Sequence, residues 1–264
     1  MKSRANHLVL TMAIVISSYA YGQQEKPSRE IITKGVVSVS QDRNGSIYVA
    51  DKFGNLNRYS ANGDLELTYS TPKRGAVTLL EAWPTLNILL FYQDFQSITL
   101  LDRFLTPIVA IDLNDKVGFV RLATFNYESN FWLIDDSDFS LKLWDRRLDQ
   151  ITVVTPFNLL LNPDKYAITF MREYQNQLFI SDLKSGILIF DNLGNYLRTL
   201  PFKGVEYFNF FGNEIYFLSD DGLNYYNIYS FEKRLVAVKP TKFALDQKNG
   251  LVLIDENMIG IYSK

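Results

Sequence analysis

The sequence predicts an all-β protein, a six-bladed β-propeller of four-stranded antiparallel blades, on three observations. From residue 46 onward one pattern recurs six times: an apolar run, an acidic or polar turn, and a second apolar strand ending in an aromatic residue or Asp. With Asp51, Gln93, Asp135, Asp182, Asp220 and Asp255 as equivalent turn positions, the steps are 42, 42, 47, 38 and 35 residues, which is blade spacing. The runs IYVA, ILLFY, FWLI, LFIS, IYFL and LVLI are short, continuous and rich in β-branched and aromatic residues, and no helical period is sustained. Finally, 19 Phe, 16 Tyr and 3 Trp supply large flat side chains to fill the space between twisted sheets.

Read from the amino terminus, residues 1–22 have the three parts of a secretory signal: Lys2 and Arg4, the apolar stretch LVLTMAIVI, and small residues at Ala20 and Gly22. Its expected removal leaves residues 23–28 as a short tail and 29–264 as a single propeller domain. The apolar run is shorter than the about 20 residues of a membrane span, and no later segment comes closer, so the mature chain is expected to be exported without a transmembrane span.

The segment REIITKG, residues 29–35, is a strand left over before the first blade opens at VVSVSQ. The innermost strands follow as VVSVSQD, AVTLLEA, VGFVRLA, AITFMRE, EYFNF and TKFALD, each preceding one of the apolar runs. Those runs lose the alternation of a half-buried strand because both faces of a blade are covered by its neighbours. The recurring turn Asp is read as structural, since its carboxylate accepts a backbone N–H two residues on. Gly54, Gly186 and Gly222 stand beside these turns, where a positive φ is expected. The last copy has only three strands, TKFALD, GLVLIDE and MIGIYSK. Pairing residues 29–35 beside MIGIYSK would complete the sixth blade and remove an exposed edge.

Composition then narrows the chemistry. There is no Cys, hence no disulfide, no thiol nucleophile and no lipid anchor, and the one His, His7, lies inside the signal. The mature chain therefore lacks the usual zinc ligands and every Ser-His-Asp arrangement. It carries 25 basic and 29 acidic residues, a net charge of −4 without a basic stripe, so nucleic acid is not an expected partner.

The segment NGSIYVADKFGNLNRYSANGDLELTY, residues 44–69, resembles an NHL-type propeller repeat, and QNQLFISDLKSGILIFDNLGNYLRTL, residues 175–200, is similar. SLKLWD, residues 140–145, is similar to the end of the third strand of a Trp-Asp repeat, without the Gly-His pair of such repeats. The resemblance implies the fold and carries no functional residue across. A small propeller behind a signal ending in Gly-Gln, in a chain rich in Asn, Lys, Ile, Phe and Tyr, also resembles envelope proteins of Bacteroidota. Some propellers there accompany outer-membrane assembly or type IX secretion machinery. The turn motifs of sialidases and the recurrent Trp motifs of quinoprotein propellers are absent.

Fold alone does not choose a function, and two expectations from different classes stand. The first is a non-catalytic interaction platform without a cofactor, a subunit of a cell-envelope complex with an outer-membrane or other envelope protein as partner. Its place would be the periplasm, the periphery of the outer membrane or outside the cell. Its candidate contact residues are Phe157, Leu159, Leu160 and Leu161 in TPFNLLLNPDKY, the connection behind the 47-residue step, with Trp83 on another connection. If exposed, such a patch marks a contact; the other reading is that it extends a strand or plugs the ring. The second expectation is a calcium-dependent, lactonase-like hydrolase. Calcium takes 6 to 8 oxygen ligands, and Asp42, Glu81, Glu173, Glu206, Asn209 and Asp246 are the candidates on the innermost strands. Arg121 and Arg172 on the same strands would oppose a cation, and the bland alternative is a polar channel lining.

Overall fold

The computed structural model describes residues 26–83, 86–128 and 130–263; the secretory signal read from residues 1–22 lies outside them. Twenty-four strands form six four-stranded antiparallel sheets. Strand β1 (Arg29–Ile32) stands apart in sequence. Blade one is β2 (Val36–Gln41), β3 (Ile47–Asp51), β4 (Leu56–Tyr59) and β5 (Leu65–Tyr69). Blade two is β6 (Leu79–Glu81), β7 (Ile88–Tyr92), β8 (Ser97–Leu101) and β9 (Pro107–Asp112). Blade three is β10 (Val120–Phe125), β11 (Phe131–Asp135), β12 (Ser140–Asp145) and β13 (Gln150–Pro156). Blade four is β14 (Ile168–Tyr174), β15 (Gln177–Asp182), β16 (Gly186–Asp191) and β17 (Tyr196–Leu200). Blade five is β18 (Phe208–Phe211), β19 (Glu214–Ser219), β20 (Gly222–Asn227) and β21 (Lys233–Val236). Blade six joins β22 (Phe243–Gln247), β23 (Gly250–Ile254) and β24 (Met258–Ser263) to β1, in the order β1-β24-β23-β22.

The closure expected from the leftover strand is present. Arg29, Glu30, Ile31 and Ile32 pair with Ile261, Gly260, Ile259 and Met258, and Ser28 adds a backbone bond to the Ile261 carbonyl at 2.7 Å. Arg29 then reaches Asp64 of blade one at 2.7 Å, tying the completed sixth blade to its neighbour.

The second strands are the buried ones: all of β7 and β11 is inaccessible to solvent. Their residues pack through both faces of the sheet, which is why the sequence shows runs rather than alternation there. Aromatic rings knit adjacent blades, as where Phe170 meets Phe208 edge-on with centroids 5.0 Å apart. The outermost strand keeps the alternation of a half-exposed strand, most clearly in β13.

Polar side chains stitch blade to blade. Ser38 and Ser40 accept the N–H groups of Leu80 and Ala82 at 3.1 and 3.0 Å, capping the free inner edge of the short β6. Gln96 clamps Val120 with its whole amide, accepting its N–H at 2.7 Å and donating to its carbonyl at 2.8 Å. An amide matches a peptide group in both senses, so this one side chain continues the sheet across the gap between blades two and three.

The turn carboxylates close their own hairpins. Asp51 accepts the N–H groups of Phe53 and Asn55, and Asp182 that of Ser185. Gly186 has φ +116°, and a Cβ there would stand 2.2 Å from the Leu200 carbonyl oxygen, so this position admits nothing but glycine. Asp135 does more than close a turn. Burial pushes its carboxyl up, but the Lys142 ammonium at 2.7 Å and the N–H groups of Ser137 and Gly118 outweigh that and hold it below its ordinary value.

A carboxyl depressed in the folded state adds stability that is present above its unfolded value of about 3.9 and is lost as pH falls through the folded value. Asp135→Asn is therefore expected to destabilise by about 1–3 kcal/mol at pH 7. The gap to wild type should narrow below about pH 4. Urea unfolding of both proteins from pH 3 to pH 8 checks this, and a gap independent of pH would remove the carboxylate from the account.

Candidate functional site

The first strand of every blade contributes one buried polar side chain to a belt around the axis: Gln41, Glu81, Thr124, Arg172, Asn209 and Asp246. Neighbours on the belt are bonded. Thr124 Oγ1 donates to Glu81 Oε2 at 2.5 Å, Arg172 Nη1 to Asn209 Oδ1 at 2.6 Å, and Gln41 Nε2 to the Asp246 carbonyl at 3.0 Å. Tyr225 Oη donates to Asp246 Oδ2 at 2.9 Å from the fifth blade. Arg172 is 1% exposed, and its Nε and Nη2 have no hydrogen-bond partner among the described residues. The belt holds blades in register, since each bond spans two of them.

Because the strands alternate, loops joining first to second and third to fourth strands lie on one face of the ring, and the remaining loops lie on the other. Above the belt, on the first of these faces, a cavity of about 570 Å³ opens between blades one to four. Glu81 and Glu173 stand in its floor, Trp83, Tyr127 and Tyr174 in its walls, and Arg43 at its rim. Tyr174 is fixed: it stacks on Phe210 at 4.1 Å with rings nearly parallel, and its Oη donates to the Gly212 carbonyl at 2.8 Å. Trp83 faces it at 5.9 Å and 57°, with the Arg43 guanidinium 5.7 Å from the indole centroid.

Both floor carboxyls are pushed up. Burial does this at Glu81, opposed by the Arg172 charge and by the Thr124 and Phe125 donors. Burial also leads at Glu173, opposed by Trp132 Nε1 at 2.6 Å and the Tyr127 N–H at 2.9 Å, while Glu81 and Glu128 add like-charge repulsion.

Of the residues singled out in the sequence, Trp83, Glu81 and Glu173 thus meet in one cavity. Beyond that pair, the six oxygen-bearing candidates do not meet. Asp42 spends one carboxylate oxygen on the Asn44 and Ser46 N–H groups and the other on Tyr48 Oη at 3.1 Å, closing its own hairpin. Glu206 is exposed on the opposite face, beside a separate cavity of about 430 Å³ that also holds Lys239 and Lys242. Asn209 and Asp246 are bound into the belt. Among the described residues no three Asp, Glu, His or Cys are grouped to hold a metal ion.

The Phe157–Leu161 segment is split rather than exposed as a patch. Phe157 is 0% exposed, wedged between Phe139 at 5.6 Å and Phe190 at 6.0 Å, and Leu161 is buried. The Phe157 carbonyl accepts the N–H groups of Leu160 and Leu161, a helical turn that folds the segment inward and leaves Leu160 half-buried. Leu159 alone points out, at 93% exposure.

Sequence reasoning missed the apolar character of the cavity's own face. Among the described residues, Leu86, Phe104, Tyr127, Leu148, Leu193, Tyr229 and Phe231 are large exposed hydrophobics on the loops of that side, against Phe53, Phe119 and Leu159 on the loops of the other, while Leu65, Ile108, Val154, Tyr196, Leu197, Leu235 and Val236 are exposed on the outermost strands. The cavity rim runs into this set, because Tyr229 Oη donates to Gln175 Oε1 at 2.6 Å.

No family model matches the chain, and no curated protein matches its sequence. Many solved structures match its shape. The extracellular domain of BT4673 from B. thetaiotaomicron is similar with TM-score 0.58 at 11% identity, over 86% of this chain and 33% of that one. A virginiamycin B lyase from Staphylococcus aureus is similar with TM-score 0.60 at 9% identity, over 89% and 99%. The WD40 domain of Neurospora crassa Pan2 gives TM-score 0.57 at 9% identity, over 87% and 89%. All are β-propellers, as this chain is. At such identities the likeness establishes the fold alone, and this chain spans a third of the BT4673 domain it matches. Among the described residues no helix is long and apolar enough to cross a membrane.

Proposed function

We propose that this protein is a non-catalytic interaction platform, a subunit of a bacterial cell-envelope complex, and that it docks through the face around the axial cavity. The observation that carries this is the asymmetry of the ring. Large apolar side chains gather on the loops of one face at more than twice the number found on the other, in a chain whose core is otherwise filled by its own aromatics. A contiguous exposed apolar surface marks a protein contact, and this face carries the larger share of the loop side chains from which one is built. The envelope setting rests on the secretory features of residues 1–22 and on the resemblance in sequence style to outer-membrane and secretion-associated propellers.

The chemistry of the cavity supports binding over turnover. Glu81 is 2% exposed and held by Thr124 and Phe125, and both Glu173 oxygens accept a bond, so the two carboxyls are fixed as parts of the cavity floor.

The test is capture of envelope proteins by the tagged chain, compared with two variants. Leu148→Ser with Leu193→Ser, on the apolar face, is expected to lose a stoichiometric partner by about tenfold or more. Leu159→Ser on the opposite face should retain it. Equal capture by both variants would sink the docking face, and loss in the Leu159 variant alone would move it across the ring.

A further inference from the structure

We infer that the axial cavity is a binding site for a neutral glycan, a proposal that goes beyond the docking reading and does not need it. Three observations converge. The cavity, at about 570 Å³, falls in the range of small-molecule sites, about 300 to 1,000 Å³. Its wall is aromatic and pre-set: Tyr174 is locked by Phe210 and Gly212, Trp83 packs directly against it at 5.9 Å, and Tyr127 beside them is exposed, its Oη held by Glu128 at 2.7 Å. A pyranose ring offers such a wall its apolar C–H face. Third, the rim holds amides that are still free, since the side chains of Asn87 and Asn176 make no hydrogen bond among the described residues. An amide both donates and accepts, which suits hydroxyls that do the same.

Charge selects against the other classes. An anionic ligand meets Glu81 and Glu173 in the floor. A cationic ligand meets the Arg43 guanidinium at the rim. What remains is an uncharged molecule with one apolar face and an edge of hydroxyls.

The test uses Trp83 as its own reporter, because Trp132 and Trp144 are 0% and 3% exposed while Trp83 lines the cavity. The folded chain is titrated with cellohexaose, xylohexaose, mannohexaose, maltohexaose and N-acetylchitohexaose, each to about 10 mM, where a weak site of millimolar Kd is visible. At least one is expected to shift tryptophan emission saturably. Calorimetry with that sugar should show a tenfold or greater loss of affinity in Asn87→Ala with Asn176→Ala, and no change in Leu159→Ser. The proposal is overturned if none of the five shifts the emission. It is equally overturned if tetramethylammonium or acetate competes for the site, or if the amide variant binds the sugar as wild type does. None of these results bears on partner capture, whose readout and variants are separate.

Discussion

Removing residues 29–35 is expected to lower the melting temperature by about 10 °C or more and to turn reversible unfolding into aggregation. The deletion strips four paired residues from β24 together with the Ser28 and Arg29 links. At about 1 kcal/mol net per hydrogen bond, with the burial of Ile31 against Ile261 lost as well, the change is about 4 kcal/mol, and a chain of this size loses about 2–4 °C per kcal/mol. The bared edge of β24 would then be free to pair with another chain. Thermal unfolding and size-exclusion of chains beginning at residues 26 and 36 measure both effects. Equal melting temperatures would mean that five intact blades and a three-stranded sixth already suffice.

Phe157→Ala is expected to cost about 3–5 kcal/mol, whereas Leu159→Ser, two residues away, should change stability by less than about 0.5 kcal/mol. The phenyl ring fills the space between blades three and four and makes edge contacts with Phe139 and Phe190, one from each blade. Its removal leaves a cavity that two rigid sheets cannot collapse around. Leu159 stands in solvent and has nothing to lose. Denaturant unfolding of the two variants decides between them, and a Phe157 variant as stable as wild type would show that the connection is not a wedge at all.

That segment also shows where reading the chain stops. Blades one to five were legible because each is built from contiguous residues, with a turn carboxylate or amide at steps of 35 to 47 residues and an unbroken apolar second strand. Strand β1 was legible because the last repeat is one strand short. The burial of Phe157 was not, since a long connection carrying four apolar residues reads equally as an exposed patch or as a wedge. Nothing local distinguishes them until the helical turn aims Phe157 inward and Leu159 outward.

The cavity was less legible still, because its parts lie about one blade apart: Arg43, Trp83, Tyr127 and Tyr174. Each stands at or just beyond the inner strand's end in its own repeat. Superposing the repeats on those strand ends, rather than on the turn residues, would have brought them to one level. The acidic candidates were gathered by residue type along the whole inner strand, so they mixed belt, hairpin and opposite-face positions.

The clasp between β1 and β24 also bears on how the molecule is made. Arg29 and Ile261 are partners across nearly the whole chain, so the first of the described strands waits for the last. Between them stand blades one to five, each contiguous and free to form before the clasp closes. Loop-closure entropy grows only logarithmically with length, so the late pairing is thermodynamically cheap. Its hazard is one of timing: β1 stays unpartnered until β24 is in place, and whatever shields that strand in the meantime governs the yield of closed rings.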